Sequence, residues 1–435
     1  MTLAFVESFR IAAPYIHGHR GRTFVFMVGG EAATEKGFEH LMHDIALVHA
    51  LGVRVVVVHG TRPQIEKRLK EKRIKARFAN EIRVTDRATL TCVHEAVGAA
   101  RARFISLLSM GAANTPMAGA RIRVADGNFV TARPMGVRNG TDYLFTGDVR
   151  RVDVDGIERQ LASGALVLVS PLGFSPTGES FNLNSHDVAR AVAVALKADK
   201  LIGLVEAKGV LDKRRRIITQ ITPAKAEEIL EKKSLNTPDV RKHLAAASRA
   251  VREGVRRAHL VDRRRDGALL SELFTREGEG TLVTTEAYED MRPARLEDIG
   301  SLSALLRPLE DDGILVRRSR ERLEMELDRF IIVERDGMII GCAALEHFPD
   351  ERMAELYCVA IHERYRETGR GEALLEFMQS RARTLGVERL FVLTTRSAHF
   401  FQERGFVPTP VRELPARRQT TYDKTRRSRV LVKPL

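Results

Sequence analysis

The chain has 435 residues, of which 44% are hydrophobic, so it can bury substantial cores and is expected to form two or three domains. Lys and Arg outnumber Asp and Glu by 71 to 57, and the formal net charge of +14 favours anionic partners. The basic residues form short, scattered clusters without interleaved aromatics, which disfavours a nucleic acid partner, and no apolar run approaches the roughly 20 residues that span a bilayer.

Three cysteines, Cys92, Cys342 and Cys358, lie far apart and lack the spacing of metal ligands. This pattern argues for a reducing compartment and against a disulfide framework or a zinc site. The N-terminal segment lacks a long apolar signal core followed by a small-residue cleavage site. We therefore expect a cytoplasmic protein with no metal and no membrane partner.

Roughly the first 280 residues alternate short apolar runs with helical patterns, which predicts a stacked α/β domain with a mainly parallel central sheet. Buried strands are predicted where the runs are short, β-branched and closed by Gly or Ser, at 24–28, 53–60, 165–170 and 201–209. Apolar spacing near 3.6 predicts helices over 36–51 and 185–199. The segment 128–155 is typical of inserted hairpins.

The alternation of short apolar runs with helical patterns ends after Thr285, and Pro293 lies near a predicted helix start. We expect a linker at 285–291 and an α+β domain at 292–435. Its predicted elements are helices at 295–309 and 319–328, strands at 329–334, 338–346 and 353–360, a helix at 370–385, a strand at 389–395, a helix at 397–404 and a strand at 428–433. Asp336-Gly337 between two apolar runs predicts a hairpin turn.

A glycine-bearing loop separates the strand that ends near residue 361 from an amphipathic helix. Gly369 and Gly371 would let the backbone approach a ligand closely, and the N-terminus of the helix would attract a diphosphate. Arg366 and Arg370 add positive charge. The pattern R-x-x-G-x-G alone is a weak signal, but its position between a strand and a helix strengthens it.

Together with LFVLTT (390–395) and SAHFFQERGF (397–406), this loop resembles the core of the GNAT acyltransferase family. The resemblance implies that acetyl-CoA is the co-substrate, with its pyrophosphate on the loop and its pantetheine arm along a splayed strand. The residues implied in cofactor binding are Cys358, Val359, Ala360, Arg366, Gly369, Arg370 and Gly371. GNAT enzymes need no cysteine nucleophile, so we interpret Cys358 as a small core residue that shares a face with Leu356 and Ala360.

Acetyl transfer to an amine requires removal of a proton from an ammonium group, which a carboxylate usually accepts, directly or through water. Glu355 is the candidate because it is an acid inside an otherwise apolar strand, on the face opposite Leu356 and Cys358. The alternative is an exposed strand residue. Thr394 is the second catalytic candidate, as a hydrogen-bond donor to the departing thiolate or to the oxyanion, although threonine is also simply a good strand former.

Arg317 and Arg318 in GILVRRSRE, and Arg426 in RRSR, could bind the two carboxylates of a small substrate. Arginine pairs are more often surface charge. GILVRRSRE and LTTRSAHFFQERGF resemble the bacterial N-acetylglutamate synthase family, and the match runs from FRIAAPYI (9–16) to RSRVLV (427–432). The resemblance implies direct acetyl transfer from acetyl-CoA to L-glutamate, the first step of arginine biosynthesis, with Arg318 and Arg426 favoured for the glutamate carboxylates.

The first domain resembles the amino-acid kinase fold at FVFMVGGEA (24–32) and HGTRPQI (59–65). Its Gly29-Gly30 turn would place backbone N–H groups around phosphates. Met27 replaces the lysine of the kinase pattern K-x-G-G, and His186 replaces the aspartate of N-x-N-A-D. Methionine cannot stabilise a transferring phosphoryl group, so we expect no kinase activity, although Asp187 leaves that alternative open.

The end of this domain, with the N-terminal helix, resembles the arginine site of arginine-inhibited acetylglutamate kinases. The residues implied are Tyr15, Lys197, Glu272, Gly278 and Gly280. Glu272 would supply the carboxylate for a cationic ligand, although a helix-surface glutamate is equally consistent with the sequence.

This second resemblance also implies a domain organisation and a mode of regulation. It implies an oligomerisation helix at 1–20, a regulatory domain at 21–284, feedback inhibition by L-arginine, and a homo-oligomer with the hexamer as the expected form. Two alternatives to the synthase remain open: an acetylglutamate kinase-like phosphotransferase, and a GNAT enzyme that acetylates another amine.

Overall fold

The computed structural model describes residues 2–435 except 112, 113, 116, 213, 232–235, 276, 277, 286–288, 336, 337, 367 and 368. The chain divides into two compact units, Met1–Glu286 and Ala287–Leu435. The hairpin turn predicted at Asp336-Gly337 lies outside the described residues.

The first unit alternates strands and helices along most of its length. Its elements are α1 (Thr2–His19), β1 (Thr23–Val28), α2 (Phe38–Ala50), β2 (Arg54–His59), α3 (Arg62–Glu71), β3 (Arg77–Ala79), β4 (Ile82–Val84), α4 (Arg87–Leu108), β5 (Val124–Asp126), β6 (Val130–Pro134), β7 (Val137–Arg138), β8 (Thr141–Asp142), β9 (Gly147–Val152), α5 (Val154–Ala162), β10 (Leu166–Val169), β11 (Leu172–Phe174), β12 (Ser180–Asn182), α6 (Ser185–Ala195), β13 (Lys200–Val205), β14 (Gln220–Ile221), α7 (Pro223–Glu231), α8 (Pro238–Arg252), β15 (Arg257–Asp262), α9 (Ala268–Phe274) and β16 (Thr281–Val283).

An eight-stranded sheet forms the centre of this unit, in the order β14-β16-β15-β13-β1-β2-β10-β5. All neighbouring strands are parallel except β15 and β16. Strand β1 is buried on both faces, with Val25 and Met27 in one hydrophobic cluster and Phe24 and Phe26 in the other. Helices therefore cover both faces, as parallel sheets require, and the predicted mainly parallel α/β architecture is confirmed.

The second unit contains fewer helices and a mostly antiparallel sheet. Its elements are β17 (Glu289–Pro293), α10 (Ile299–Asp311), α11 (Arg320–Met325), β18 (Phe330–Arg335), β19 (Met338–Phe348), β20 (Met353–Ile361), α12 (Arg370–Thr384), β21 (Arg389–Thr394), α13 (Ala398–Gln402), β22 (Val407–Pro408), α14 (Ala416–Thr420) and β23 (Arg429–Pro434). The sheet order is β17-β18-β19-β20-β21-β23-β22.

One parallel pair, β20 with β21, lies inside the antiparallel sheet of the second unit. Its ladder joins residues 353–355 to residues 389–391, while β20 continues to Ile361 and β21 to Thr394. Beyond that ladder the described parts of the two strands diverge. The α+β order predicted for this unit is confirmed, and the divergence opens the sheet beside Glu355.

Three residues of the linker expected at 285–291 have a different place in the structure. Residues 289–291 belong to β17, which pairs with β18 at the edge of the second sheet. The sequence EDMRP shows no alternation of apolar and polar residues. An edge strand does not have to bury one of its faces, so it can lack that alternation. Its last residue, Pro293, is tolerated there because proline is confined to edges and strand ends.

Candidate active site

Glu355 lies in the middle of the second sheet, where β20 and β21 begin to diverge. It is 6% exposed, and its carboxylate accepts hydrogen bonds from Arg418, from Nε to Oε2 at 2.5 Å and from Nη2 to Oε1 at 3.2 Å. Burial raises the pKa of Glu355, although the Arg418 guanidinium opposes that rise. The structure therefore holds a buried carboxylate with an elevated proton affinity.

Further charged groups surround this carboxylate. Glu346 on β19 is the cross-strand partner of Glu355 and forms an ion pair with Arg329 at 3.3 Å. Tyr357, two residues along β20 from Glu355, lies under the guanidinium of Arg318, whose Cζ is 5.3 Å from the ring centre. Burial raises the pKa of the Tyr357 hydroxyl, so this phenol is neutral near pH 7.

The structure brings Arg318 and Arg426 to the same loop. Arg318 is largely buried and bonds the Val316 carbonyl at 2.9 Å, with Glu326 3.5 Å from its Nε. Arg426 donates from Nη2 to the carbonyls of residues 313 and 314, at 3.3 and 3.0 Å. Arg317 is separated from them, because its side chain is 76% exposed and pairs with Asp311.

A bulge in β20 changes which side chains share a face. Cys342 pairs with Ala360 but Ala344 pairs with Tyr357, so β20 contains an extra residue, and Cys358 takes a positive φ of 50°. Leu356 therefore lies in one hydrophobic cluster, and Cys358 lies with Ala360 in the cluster on the other face. The expectation that Leu356 and Cys358 share a face is wrong, because strict alternation fails at a bulge.

Cys358 itself is a buried thiol. It is 4% exposed, and burial raises its pKa to about 12, so it is not a thiolate near pH 7. The interpretation of Cys358 as a core residue is consistent with this environment. The bulge also leaves backbone groups of Cys358, Val359 and Ala360 beside the gap between β20 and β21.

The predicted pyrophosphate loop precedes α12. Gly369 has φ 81° and caps this 15-residue helix without a side-chain hydrogen bond. A Cβ on Gly371 would contact the ring of Phe400 at 3.4 Å, so the backbone and that ring pack closely. Arg366 bonds the Ile361 carbonyl at 3.2 Å, and the guanidinium of Arg370 lies 5.2 Å from the ring centre of Tyr365.

Thr394 lies at the C-terminal end of β21, on the other side of the gap from β20. Its Oγ1 accepts a hydrogen bond from the backbone N–H of Ser397 at 2.9 Å. This contact uses a lone pair and leaves the hydroxyl proton available, so Thr394 can still donate.

In the first unit, Glu272 meets the loop that contains Gly278 and Gly280. Its Oε2 accepts from the backbone N–H groups of Glu279 and Gly280 at 2.6 and 2.8 Å, and its Oε1 accepts from His259 Nδ1 at 2.6 Å. Burial alone would raise the pKa of Glu272, but these hydrogen bonds lower it, so the carboxylate is ionised. A Cβ at Gly278 would be only 2.6 Å from Oε2, which explains the glycine.

Helix α1 packs against α9 beside this carboxylate. The Nε2–H of His19 donates to the Leu273 carbonyl at 2.8 Å, and the rings of Tyr15 and His19 are 6.2 Å apart. Burial and the charge of Lys200 lower the pKa of His19 to about 4, and Lys200 also lowers the pKa of buried His259.

Lys197 lies just after α6, where it is exposed and takes a left-handed conformation (φ 48°). A second lysine, Lys200, acts on the histidines beside Glu272. Burial and the charge of Lys200 lower the pKa of His19 and that of His259, and His259 bonds Glu272. Lys200 is therefore a further candidate for the cluster around Glu272, in addition to Lys197.

A separate cavity of about 590 Å³ lies in the first unit at the carboxyl ends of β1 and β2. Its lining includes Met27, Gly29, Gly30, Asn184, His186 and Lys242. Gly30 and Gly60 pack backbone to backbone, since a Cβ on Gly60 would be 2.6 Å from the Gly30 nitrogen. Burial lowers the pKa of His186 well below its usual value, so both residues that replace kinase groups, Met27 and His186, are uncharged.

Comparison with known proteins agrees with this division of the chain. Residues 22–262 match the amino acid kinase family, and residues 299–406 match the acetyltransferase (GNAT) family. The amino-acid acetyltransferase of Aeromonas salmonicida is 51% identical over 435 residues, which covers 99% of this chain and 98% of that protein. That of Azotobacter vinelandii is 52% identical over 431 residues, which covers 99% of both chains.

The chain belongs to the amino-acid acetyltransferase family. It also resembles crystal structures of N-acetylglutamate synthase from Neisseria gonorrhoeae over 99% of both chains. The complex with coenzyme A and L-arginine is 35% identical with a TM-score of 0.90, and the complex with coenzyme A and N-acetyl-glutamate is 36% identical with a TM-score of 0.63. The predictions of family, fold class and N-acetyltransferase activity are confirmed.

The sequence predicts neither a membrane partner nor a metal, and two properties of the described ranges bear on these predictions. Within those ranges, no helix combines the length and the apolar character that crossing a bilayer needs. Nor do the described His, Cys, Asp and Glu residues form a group of three or more that could hold a metal ion.

Several residues of this acetyltransferase were missed from the sequence. Arg418 lies in RELPARRQTTYDKTRRSR, where many arginines give no reason to select one. His259 and Lys200 were missed because the sequence does not show how the strands pair, and the pairing determines which residues are their neighbours across the sheet. One signal was available for Lys200: it is the first residue of β13 and is followed directly by the buried residues 201–205.

Proposed function

We propose that the chain transfers the acetyl group of acetyl-CoA directly to the α-amino group of L-glutamate and so makes N-acetyl-L-glutamate, the first step of arginine biosynthesis. The observation that carries this proposal is the buried Glu355 carboxylate beside the gap between β20 and β21, with Arg318 nearby. The similarity to a synthase that binds coenzyme A and N-acetyl-glutamate supports the choice of substrates.

The coenzyme would occupy the gap between the diverging strands. Backbone groups of Cys358, Val359 and Ala360 would pair with the pantetheine arm, because β21 does not pair with that part of β20. The pyrophosphate would lie at the N-terminus of α12, where the first turn of a helix directs backbone N–H groups outward and Gly369 and Gly371 let the backbone approach closely, and Arg366 and Arg370 would add charge.

The reaction needs one proton acceptor and one group that stabilises the leaving sulfur. Glu355 takes the proton from the substrate ammonium, the amine nitrogen then attacks the thioester carbonyl carbon, and the carbon–sulfur bond breaks. The Thr394 hydroxyl donates a hydrogen bond to the departing thiolate or to the oxyanion that precedes it. The thiolate finally takes a proton, which leaves free coenzyme A and the amide.

Arg318 and Arg426 are the proposed partners of the glutamate carboxylates. Arg318 is largely buried near Glu355, and Arg426 reaches the loop on which Arg318 lies. A buried guanidinium binds a carboxylate more strongly than an exposed one because water competes less. Arg317 is too exposed for this role and serves the surface pair with Asp311.

An acetyl-CoA thiol-release assay tests the substrate assignment. Wild-type protein would be supplied with acetyl-CoA and, in separate reactions, with each free amino acid and with a lysine-containing peptide. Turnover with L-glutamate supports the proposal. Turnover with lysine or the peptide but none with glutamate would contradict it and favour a GNAT enzyme for another amine.

We further propose that the first unit is a regulatory domain that binds L-arginine and inhibits acetyl transfer. Ionised Glu272 would bind the guanidinium, and Tyr15, Gly278 and Gly280 would complete the site with Lys200 in the place expected for Lys197. The Neisseria synthase bound to L-arginine supports this effector. Phosphoryl transfer is not proposed, because Met27 and His186 provide no charge for it.

A homo-oligomer, a hexamer as the expected form, is also proposed. Helix α1 exposes Phe5 and Phe9, four residues apart on one face, at 69% and 59%, and exposed apolar side chains that lie together are usually covered by a partner. Sedimentation of the full chain would give the subunit number, and a monomer would overturn the proposal of a homo-oligomer.

We also propose a cytoplasmic location. The three buried cysteines are free, and a reducing compartment keeps cysteines in that state.

A further inference from the structure

Arg418 connects Glu355 to a short helix near the C-terminus of the chain. Its Nε and Nη2 each donate to one oxygen of Glu355, and its Nη1 donates to the carbonyl and the hydroxyl of Thr421 at 3.1 and 3.2 Å. The side chain of Arg418 is 21% exposed and that of Glu355 is 8% exposed. The arginine therefore covers the carboxylate from the solvent side and remains reachable itself.

Two charge-assisted hydrogen bonds favour the ionised form of a carboxylate and so make it a weaker proton acceptor than it would be without them. In Glu355 the bonds from Arg418 oppose the rise in pKa that burial causes. Glu346 is its cross-strand partner and is paired with Arg329, while Arg318 acts on it electrostatically in the same sense as Arg418. Glu355 would therefore accept a proton more readily if Arg418 found another partner.

The acceptor can supply that partner. When its ammonium group approaches Glu355, its own carboxylates come within a few bond lengths of the same place. Arg318 and Arg426 can hold one of them, and Arg418 is the remaining guanidinium that already reaches the site. Exchange of one arginine–carboxylate pair for another leaves the number of such pairs unchanged, whereas simple loss of the pair leaves a buried charge uncompensated.

We propose that Arg418 is a positioning and specificity residue: a carboxylate of the acceptor takes its guanidinium from Glu355, and the released Glu355 then accepts the ammonium proton. This inference rests on the proposed function and names its substrate class as amino acids with a second carboxylate. An acceptor without that carboxylate leaves Glu355 paired. Selectivity against neutral amino acids therefore appears in kcat and not only in KM.

Steady-state kinetics of the full-length chain with L-glutamate and with its neutral isostere L-glutamine test this inference. The variants are Arg418→Gln, Arg418→Lys and the matched control Arg417→Gln, which removes the same charge from the adjacent position of α14. Rates are compared on the alkaline plateau of the pH profile, where Glu355 is ionised in every variant. Thermal unfolding confirms that each variant is folded.

The expected pattern is a gain of one activity together with the loss of another. In Arg418→Gln, kcat with glutamine rises by about tenfold or more because the base is no longer covered, whereas kcat with glutamate falls by a similar factor because no guanidinium positions the second carboxylate. The acidic limb of kcat/KM moves to higher pH, because Arg418→Gln removes the cation that lowers the pKa of Glu355. Arg418→Lys gives intermediate values because a point charge cannot bond both oxygens.

Three outcomes would decide against the inference, each in a different way. If wild-type protein acetylates glutamate but Arg418→Gln slows both acceptors equally, Arg418 has a structural role only, and the proposed function stands. If wild-type protein releases no thiol with glutamate, the proposed function is wrong, and this inference is wrong as well because it rests on that function. If Arg417→Gln shows the same pattern as Arg418→Gln, general charge and not the Glu355 pair is responsible.

Discussion

Arg418 and Glu355 form a two-bond ion pair at the point where β20 and β21 diverge, with 2.5 Å between Nε and Oε2. This relationship links the only acid of β20 to a segment more than sixty residues away in sequence. It favours the ionised state of the proposed base and so opposes the effect of burial.

Replacement of Glu355 by Gln is expected to lower kcat by about a hundredfold to ten-thousandfold, the usual contribution of general base catalysis. The KM for glutamate is expected to change much less, because the carboxylates of the substrate bind arginines and not Glu355. Steady-state thiol release measures both constants. Glu324→Gln, which removes an exposed acid paired with Arg320, is the matched control. A normal kcat in Glu355→Gln would exclude Glu355 as the base.

The pH profile is predicted to show an acidic limb that belongs to Glu355. Its pKa is raised by burial above the 4.5 of an ordinary glutamate, and the ionised form is the one that accepts a proton. Activity is therefore retained above this raised pKa and lost as the pH falls through it. The logarithm of kcat/KM against pH measures the limb. A limb at or below 4.5 in the wild type, or an unchanged limb in Glu355→Gln, would contradict the assignment.

Arg318→Ala is expected to raise the KM for glutamate by roughly ten- to a hundredfold, the cost of losing one charge-assisted contact, with a smaller effect on kcat. Arg317→Ala is the control, since that side chain is 76% exposed and pairs with Asp311. Exposed ion pairs contribute little, so its constants should stay near those of the wild type. Equal effects of the two substitutions, or a loss of kcat alone in Arg318→Ala, would show that the roles are wrongly assigned.

Much of the fold was predictable because hydrophobic periodicity reports directly on burial. Strand β1, predicted at 24–28, is buried over its whole length, and α12 begins at Arg370 as its glycine loop indicates. The bulge at Cys358 was not predictable, since nothing in the apolar string LYCVAI departs from an ordinary strand. Edge strand β17 was not predicted either, because its sequence has almost no apolar pattern.

The site was predictable where a residue type contradicts its surroundings and unpredictable where it matches them. Glu355 is an acid among apolar residues, so its sequence context alone selects it. Arg418 is one of many arginines in a polar segment, and only the folded chain shows which of them reaches Glu355. Lys200 and Lys197 are three residues apart, and only the folded chain shows that Lys200 begins β13, with Phe24 and Arg257 as its strand partners.

Arginine sensitivity is predicted to depend on Glu272 and Lys200. Glu272→Gln removes the charge that would bind the guanidinium, and Lys200→Gln removes the lysine whose charge acts on His19 and His259, so inhibition by L-arginine should weaken by about tenfold or more in each variant. Lys197→Gln is the control, because that side chain is exposed after α6. Inhibition curves at fixed acetyl-CoA and glutamate measure the effect.

Uninhibited activity in the same arginine experiment distinguishes a lost effector site from a damaged domain. It should stay close to the wild-type rate in Lys200→Gln. If Lys197→Gln loses sensitivity while Lys200→Gln keeps it, the lysine has been assigned wrongly. If arginine has no effect on the wild type, the regulatory proposal is wrong.

Phosphoryl transfer by the first unit is predicted to be absent. Met27 is 3% exposed within the core of β1 and supplies no cation where the kinase pattern has a lysine, and neutral His186 supplies no carboxylate where that pattern has an aspartate; both residues line the cavity of about 590 Å³. ADP release from ATP with N-acetyl-L-glutamate is the measurement. Turnover above a no-enzyme control would support the kinase-like alternative, and Asp187 would then be the residue to replace next.

Competition among acceptors tests the central claim most directly. The protein would be incubated with acetyl-CoA and an equimolar mixture of the twenty common amino acids, and the acetylated products would be identified by mass spectrometry. The account predicts N-acetyl-glutamate as the dominant product, lost in Glu355→Gln and retained in Glu324→Gln. A different dominant product, or N-acetyl-glutamate that persists undiminished without the Glu355 carboxylate, would contradict it.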